Sequence, residues 1–127
     1  MQEFDIRNVE LAESGHKKIE WVKNNMPILS SLEKEFEKNK PFEGVKISLS
    51  VHLEAKTAYL CKVLAAGGAV MSVTGSNVLS TQDDVAAALV DDGLRVFAYH
   101  DATDEEYVDH IRKTLANGPQ IVIDDGG

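Results

Sequence analysis

Side chains that can exchange protons or bind a polar ligand stand directly after each of four β-rich runs of the sequence. In chain order they are His52, Glu54 and Lys56, then the turn 75–83, then Tyr99, His100 and Asp101, and finally Asp124 and Asp125. Carboxylates and a histidine around one crevice are the groups that general acid–base catalysis uses. Two acids in tandem at a strand end must be solvated, bound to cations or tuned for proton transfer.

The elements that would position these residues alternate between strands and helices. In order, the β-rich runs and the helical stretches between them are 45–51, 54–66, 69–74, 80–92, 95–99, 103–117 and 120–123. A rhythm of roughly 25 residues is typical of strand–helix–strand units, which form parallel sheets through right-handed crossovers. The sequence therefore predicts an α/β fold with a doubly wound, mostly parallel sheet of about four strands. Ligands of such sheets bind beyond the carboxyl ends of the strands, where the strand order reverses.

The segment before the first β-rich run has a helical pattern without a β-rich run. Residues 7–39 are predicted to form two helices, and Pro27 suits the first turn of the second because its missing N–H is not needed there. We expect residues 1–44 to form a helical bracket on the β/α units of residues 45–127.

Each polar candidate also has a purely structural interpretation. Glu54 and Lys56 could be a surface pair at a helix start, where an acid suits the helix dipole. Ser80 and Asp83 could cap their helix, and Cys61, among apolar neighbours, indicates packing rather than a nucleophile. The remaining histidines are predicted to lie on the surface without a metal, because no second ligand stands at metal spacing near His16, His100 or His110.

Composition excludes several classes of partner. The chain has 127 residues and a formal charge of −8, which would repel nucleic acids and anionic membranes. No apolar run approaches the roughly 20 residues of a membrane helix, and the first residues lack the features of a signal peptide. Cys61 alone cannot form an internal disulfide. We therefore expect a single cytoplasmic domain with a small-molecule ligand.

Three stretches of the sequence, in this order and spacing, resemble the S-adenosyl-L-homocysteine hydrolase family. They are "SVHLEAKTAYL" (50–60), "GSNVLSTQDDVAAAL" (75–89) and "IVIDDGG" (121–127), and the likeness covers nearly all of the chain. In the family, "DDGG" lies inside the substrate-binding domain and a long remainder follows. The resemblance implies that residues 1–127 are the N-terminal part of this domain, taken from a longer, homotetrameric enzyme.

The resemblance also implies a reaction and its residues. The family reversibly hydrolyses S-adenosylhomocysteine, or in some members S-inosylhomocysteine, to homocysteine and the nucleoside through a redox cycle of bound NAD. Oxidation of the ribose 3′-hydroxyl acidifies the C4′ proton, whose removal expels homocysteine. By motif, His52 and Asp125 match the acid–base residues near C4′ and O5′, and Thr57 and Gln82 match positions that line the purine pocket.

The sequence departs from the family pattern in two ways. The glycine-rich NAD fingerprint is absent, so we expect the NAD-binding domain to lie outside this chain and the chain alone to be inactive. In the commoner members a Thr and a Glu contact the purine base, whereas this sequence has Glu54 and Lys56 at those positions. This variant is similar to the archaeal and thermophilic branch of the family. An acceptor and a donor could read either adenine or hypoxanthine, depending on the pose.

A receiver-like or ligand-binding α/β module is the alternative class. Receiver modules also place paired acids at a strand end, where they bind Mg²⁺ and accept phosphate. They need the acid pair after an early strand and a lysine after a later one, whereas Asp124 and Asp125 come last. The sequence therefore favours the hydrolase family.

Overall fold

The β-rich runs pair into one parallel sheet in the computed structural model, which describes residues 3–126. The strands are β1 (Phe4–Ile6), β2 (Lys46–Val51), β3 (Val70–Gly75), β4 (Arg95–Ala98) and β5 (Ile121–Asp124). The α/β prediction is confirmed, with one strand more than predicted. Met1, Gln2 and Gly127, which the predicted boundaries 1–127 include, lie outside the described residues.

The helices begin and end largely where the sequence signals them. After a 3-10 turn (Val9–Leu11) they are α1 (Ala12–Asn24), α2 (Pro27–Asn39), α3 (Ala55–Ala66), α4 (Asp83–Asp91) and α5 (Asp104–Leu115). Pro27 opens α2 as predicted. Helix α4 is shorter than predicted, because the residues from Ser80 to Gln82 form a loop and Gln82 is the cap residue, without a side-chain bond. The predicted cap at Ser80 is therefore wrong.

The strand order determines where the ligand-binding crevice of the sheet lies. The order is β1-β4-β3-β2-β5, and all pairs are parallel. From β2 the chain proceeds through β3 to β4, with α3 and α4 packed against each other and against α1. It then crosses back under α5, which packs on β4, β3 and β2, to place β5 on the other side of β2. The sheet is thus doubly wound, and its order reverses between β2 and β5.

The central strands form the core, and the outer strand β5 does not. Leu49, Val73 and Val96 are fully buried, and so is Cys61 of α3. Burial raises the pKa of the Cys61 thiol to about 12, which confirms a packing role. The apolar, β-branched residues of β5 are typical of a buried strand, but its side chains at positions 121 and 122 are 41% and 56% exposed, because β5 is an edge strand. No helix within residues 3–126 is long and apolar enough to cross a membrane.

Strand β1, which the sequence did not reveal, is held to the sheet by a polar network. Its Asp5 accepts hydrogen bonds from Tyr99 Oη and from His110 Nε2, the latter at 3.0 Å, and Lys113 Nζ lies 3.5 Å away. His110 is only 2% exposed, so the prediction of a surface histidine is wrong. Its ring is buried because a carboxylate from the far end of the chain satisfies it.

This network makes stability depend on Asp5 and on pH. Burial alone would raise the pKa of Asp5, but the hydrogen bonds of Tyr99 and His110 outweigh it and lower that pKa below its ordinary value. A depressed folded-state pKa contributes stability above the unfolded pKa and loses it as pH falls through the folded one. We expect Asp5→Asn to lower the free energy of unfolding by about 1–2 kcal/mol at pH 7, and the difference from wild type to shrink below about pH 4.

Urea unfolding of both proteins at pH 7 and at pH 3 measures this effect. Glu13→Gln is the matched control, because Glu13 pairs with Lys17 on the exposed surface of α1 at 3.4 Å, where such pairs contribute little. A difference between Asp5→Asn and wild type that is equal at the two pH values would show that the charge of Asp5 is not what holds β1.

Candidate active site at the carboxyl edge of the sheet

His52 and Asp125 meet where the strand order reverses. Strands β2 and β5 pair with Ser50 opposite Asp124, so the residues that follow both strands enter the same crevice. His52 Nε2 lies 3.9 Å from Asp125 Oδ2, and the two side chains are 51% and 40% exposed. The separation suits proton exchange through a small movement or one water, and both groups remain open to a ligand.

The structure distinguishes the two acids of the tandem pair. Asp124 Oδ1 accepts a hydrogen bond from the amide of Gly126 at 2.9 Å, and Asp124 lines a cavity of about 210 Å³ on the α5 face of the sheet. Asp125 instead directs Oδ2 toward His52. Of the two carboxylates, Asp125 is the one placed to share a proton with the histidine.

Ser80 contacts His52, and the sequence analysis missed this contact. Ser80 Oγ lies 2.6 Å from His52 Nδ1. The hydroxyl reaches the ring because the loop before α4 folds on Asn77, whose Oδ1 accepts from the amide of Leu79 at 2.8 Å and whose carbonyl accepts from the amide of Thr81 at 3.1 Å. A serine three residues before a helix acid resembles a cap, and its spacing gave no sign of a partner 28 residues earlier in the chain.

Gly75 at the end of β3 allows this loop to approach β2. A Cβ on Gly75 would lie 2.4 Å from Thr81 Oγ1 and 3.5 Å from Leu53 Cβ. The amide of Gln82 donates to the carbonyl of Leu53 at 3.0 Å. The loop is thus tied to the residue next to His52.

Glu54 and Thr57 form a unit at the start of α3. Glu54 is the cap residue, and its Oε1 accepts from the amide of Thr57 at 3.0 Å and from the Thr57 hydroxyl at 3.3 Å. Glu54 therefore stands at the helix start, as the structural interpretation suggested, but it caps the helix and pairs with Thr57 rather than with Lys56. Thr57 is buried behind Glu54 and fixes the orientation of the carboxylate.

An open groove beside the amino end of α3 gathers Trp21, Glu54, Lys56 and Gln82. Gln82 Oε1 accepts a hydrogen bond from Lys18 Nζ at 3.2 Å, which orients its amide. Trp21 is 66% exposed, so its ring offers a flat apolar surface in the groove. Lys56 is exposed, and its side chain has no hydrogen bond or ion pair within residues 3–126. Its ammonium donors are therefore available to a ligand.

The polar residues after β4 serve a different purpose from the one predicted. They lie at the same edge of the sheet, but Tyr99 donates to Asp5 and the amide of His100 donates to Asp83 Oδ1 at 2.9 Å. The bond to Asp5, together with burial, raises the pKa of Tyr99 to about 12, so the phenol stays protonated. His100 Nδ1 also lies 3.0 Å from the carbonyl of Thr81, and the amide of Asp101 donates to Val78 at 2.9 Å, so these residues hold β1, α4 and the loop before α4 rather than His52 or Asp125.

A second group of potential ligands lies on the helical face. His16 Nε2 is 2.7 Å from Asp91 Oδ2, and the ligand atoms of His16, Asp91 and Asp92 lie within 4.8 Å of one another. The prediction that no second metal ligand stands near His16 is therefore wrong, because α1 and α4 pack together across a long sequence separation. Lys62 Nζ, 3.2 Å from Asp92 Oδ2, already supplies a positive charge to this cluster.

Known proteins match the chain along nearly its whole length. A model of the S-adenosyl-L-homocysteine hydrolase family matches residues 3–127. The S-inosyl-L-homocysteine hydrolase of Methanococcus maripaludis is 50% identical over 122 residues, which are 96% of this chain and 29% of that protein. The adenosylhomocysteinases of Sulfurisphaera tokodaii and Pyrococcus abyssi are 49% and 48% identical, over 98% of this chain and 30% and 29% of their own lengths.

The chain thus spans less than a third of the length of these relatives. This coverage agrees with the prediction of a part of a longer enzyme, and the receiver-like alternative gains no support from it. The stretches around His52, Ser80 and Asp125 that suggested the resemblance are the same stretches that form the crevice. The chain belongs to the S-adenosyl-L-homocysteine hydrolase family.

Proposed function

We propose that this chain is the N-terminal part of the substrate-binding domain of an enzyme that reversibly hydrolyses S-inosylhomocysteine or S-adenosylhomocysteine to homocysteine and the nucleoside. The single observation that carries the proposal is the meeting of His52 with Asp125 at the reversal of strand order. Family membership supports it, because relatives named for both substrates are about equally similar to the chain.

We use family-length protein for the longer enzyme of which this chain would be the N-terminal part. Its proposed cofactor is NAD, which when bound would supply the reversible oxidation of the ribose 3′-hydroxyl. The described residues do not fit a dinucleotide. The helix amino ends beside the crevice are unsuited to a phosphate: Glu54 Oε1 accepts from the amide of Thr57 in α3, and α4 begins with the acids Asp83 and Asp84, the second of which accepts from the amide of Val85. We therefore assign the NAD-binding domain to the remainder of the family-length protein.

His52 and Asp125 are assigned the proton transfers near C4′ and O5′. One of the two accepts the C4′ proton while the C5′–S bond breaks, and the other protonates the departing sulfur. When water adds at C5′, the same two groups act in the reverse direction. Their 3.9 Å separation and partial exposure suit a pair whose proton is handed to a substrate rather than kept between them.

We assign recognition of the purine base to Glu54 and Lys56. Thr57 holds Oε1 of Glu54, which leaves Oε2 as an acceptor, while the Lys56 ammonium has only donors. Hypoxanthine presents an acceptor at O6 and a donor at N1, so Lys56 on O6 with Glu54 on N1–H matches a 6-oxopurine. The opposite pose, Glu54 on the 6-amino group and Lys56 on N1, reads adenine.

We expect Lys56→Glu in the family-length protein to change this selectivity. A carboxylate facing O6 leaves a buried acceptor without a donor, which costs about 1–3 kcal/mol. The ratio of kcat/KM for S-inosylhomocysteine to that for S-adenosylhomocysteine should fall at least about tenfold. Lys34→Glu, an exposed charge reversal on α2, is the matched control. A ratio that Lys56→Glu leaves unchanged would show that Lys56 does not contact the base.

The 127-residue chain alone should fold and should not turn over substrate. Its parallel sheet buries a core of its own, but the oxidation that acidifies C4′ requires a domain that we place elsewhere. The measurement is homocysteine release from S-adenosylhomocysteine and S-inosylhomocysteine, with NAD added, by the chain and by the family-length protein. Appreciable release by the chain alone would contradict the placement of the cofactor site, and no release by the longer protein would contradict the proposed function.

A further inference from the structure

We infer that Ser80 is a positioning residue for His52: it accepts a hydrogen bond from Nδ1–H and so directs an unprotonated Nε2 toward Asp125. The statement that Nε2 then exchanges a proton with the substrate rests on the proposed function. The hydrogen bond itself does not, since it belongs to the chain without any ligand. Ser80 Oγ and His52 Nδ1 are 2.6 Å apart.

The direction that we infer for this bond follows from where the single hydroxyl hydrogen of Ser80 is placed. A serine hydroxyl has one hydrogen to donate and two lone pairs that accept. The Asn77 carbonyl, 3.2 Å from Ser80 Oγ, can only accept, so we assign the single hydroxyl hydrogen of Ser80 to it and the acceptor role toward His52 to Ser80 Oγ. In this assignment the ring carries its hydrogen on Nδ1. In a neutral imidazole the other nitrogen is bare, and here that nitrogen is Nε2, 3.9 Å from Asp125 Oδ2.

The loop that carries Ser80 is built to hold this position. Thr81 contributes two bonds to the carbonyl of Asn77, from its amide at 3.1 Å and from its hydroxyl at 2.9 Å. Gln82 ties the end of the loop to Leu53, and Gly75 leaves the space that Thr81 occupies. Ser80 is therefore fixed relative to the end of β2, which His52 directly follows.

This arrangement has a consequence for the reaction of the crevice. A ring held at Nδ1 cannot turn over to exchange its nitrogens, so each proton is taken up and released at Nε2. When Nε2 is protonated, the ring keeps its bond to Ser80, and the new positive charge faces the Asp125 carboxylate. Both protonation states thus share one ring orientation, which spares the reaction a rearrangement between proton uptake and release.

Long-range ¹H–¹⁵N NMR of the 127-residue chain reports which nitrogen of His52 carries the hydrogen. At a pH where the ring is neutral, we expect the wild-type spectrum to show Nδ1 protonated and Nε2 bare. Ser80→Ala should shift the population toward the Nε2–H form, and Ser80→Thr, which keeps the hydroxyl, should restore the wild-type pattern. Ser31→Ala, an exposed serine of α2, should leave it unchanged. Amide spectra of each variant verify that the fold is intact.

A wild-type His52 that carries its hydrogen on Nε2, or a pattern that Ser80→Ala does not alter, would overturn the inference. In the family-length protein, Ser80→Ala should lower kcat about tenfold with KM nearly unchanged, and Ser80→Thr should recover it. The two readouts separate the claims. An Nδ1–H tautomer without any turnover would leave the positioning intact and reject the proposed function, whereas normal turnover of Ser80→Ala would reject the role of Ser80 in the reaction.

Discussion

Replacing Asp125 by Asn in the family-length protein is expected to lower kcat by about two to four orders of magnitude, the usual contribution of a general acid or base. The amide has nearly the shape of the carboxylate but cannot take up a proton. Because Asp125 lies beyond the end of β5 and is partly exposed, the fold should be retained and KM should change little. The measurement is kcat and KM for homocysteine release.

Asp124→Asn is the matched control, since the neighbouring carboxylate bonds to the amide of Gly126 and faces the other side of the sheet. It should retain most of the turnover. His52→Ala should behave like Asp125→Asn with a milder loss, because water can relay a proton in the space that the ring leaves. Wild-type turnover of Asp125→Asn, together with an inactive Asp124→Asn, would reassign the role to Asp124.

Gly15→Ala is expected to destabilise the fold strongly. An alanine in an exposed helix is favoured over glycine by about 1 kcal/mol, but at Gly15 the added Cβ would lie 1.9 Å from the carbonyl oxygen of Asp84 and 2.9 Å from Ala88 Cβ. A backbone oxygen cannot move aside by changing a rotamer, so α1 and α4 must separate. Overpacking of this kind costs about 1–3 kcal/mol, and we expect a net loss near the middle of that range.

The free energy of unfolding of Gly15→Ala, from urea titration, measures this loss. Ser31→Ala on the exposed face of α2 is the control, and it should stay within about 0.5 kcal/mol of wild type. If Gly15→Ala instead gained the stability of an ordinary helical glycine-to-alanine change, α1 could not pack against α4 as closely as described. The separation of these helices would also disturb the contact of Lys18 with Gln82 in the groove beside the amino end of α3.

The sequence predicts the helices and strands of this fold better than it predicts which strands lie beside each other. Strands β2 to β5 and helices α3 to α5 follow from local periodicity and capping residues, which act over a few positions. The order of the strands depends on contacts between distant segments, so the position of β5 beside β2, and with it the meeting of His52 and Asp125, could be stated only as a common edge. The exposed face of β5 has the same origin, since apolar β-branched residues do not reveal whether a strand lies at an edge.

The features that the sequence did not show depend on single long-range partners. Strand β1 has only three residues, too few for a periodic pattern, and its Asp5 is what makes a buried His110 acceptable. Ser80 resembled a helix cap because its true partner, His52, reaches it through the shape of a loop. By contrast, the place of His52 and Asp125 after strands made them candidates from local sequence alone. Tyr99, His100 and Asp124 had the same place, so the choice of His52 and Asp125 rested on the family resemblance.

The most direct test of the central claim is a titration of the ¹⁵N-labelled 127-residue chain with inosine, followed by amide chemical shifts. If His52, Asp125 and the groove beside the amino end of α3 form one wall of a nucleoside site, the shifts should be confined to residues 52–57, 76–82 and 124–126. The affinity should be weak, with a Kd of about millimolar, because only one wall is present. Shifts confined to the α5 face of the sheet, or an unperturbed carboxyl edge at saturating inosine, would contradict the account.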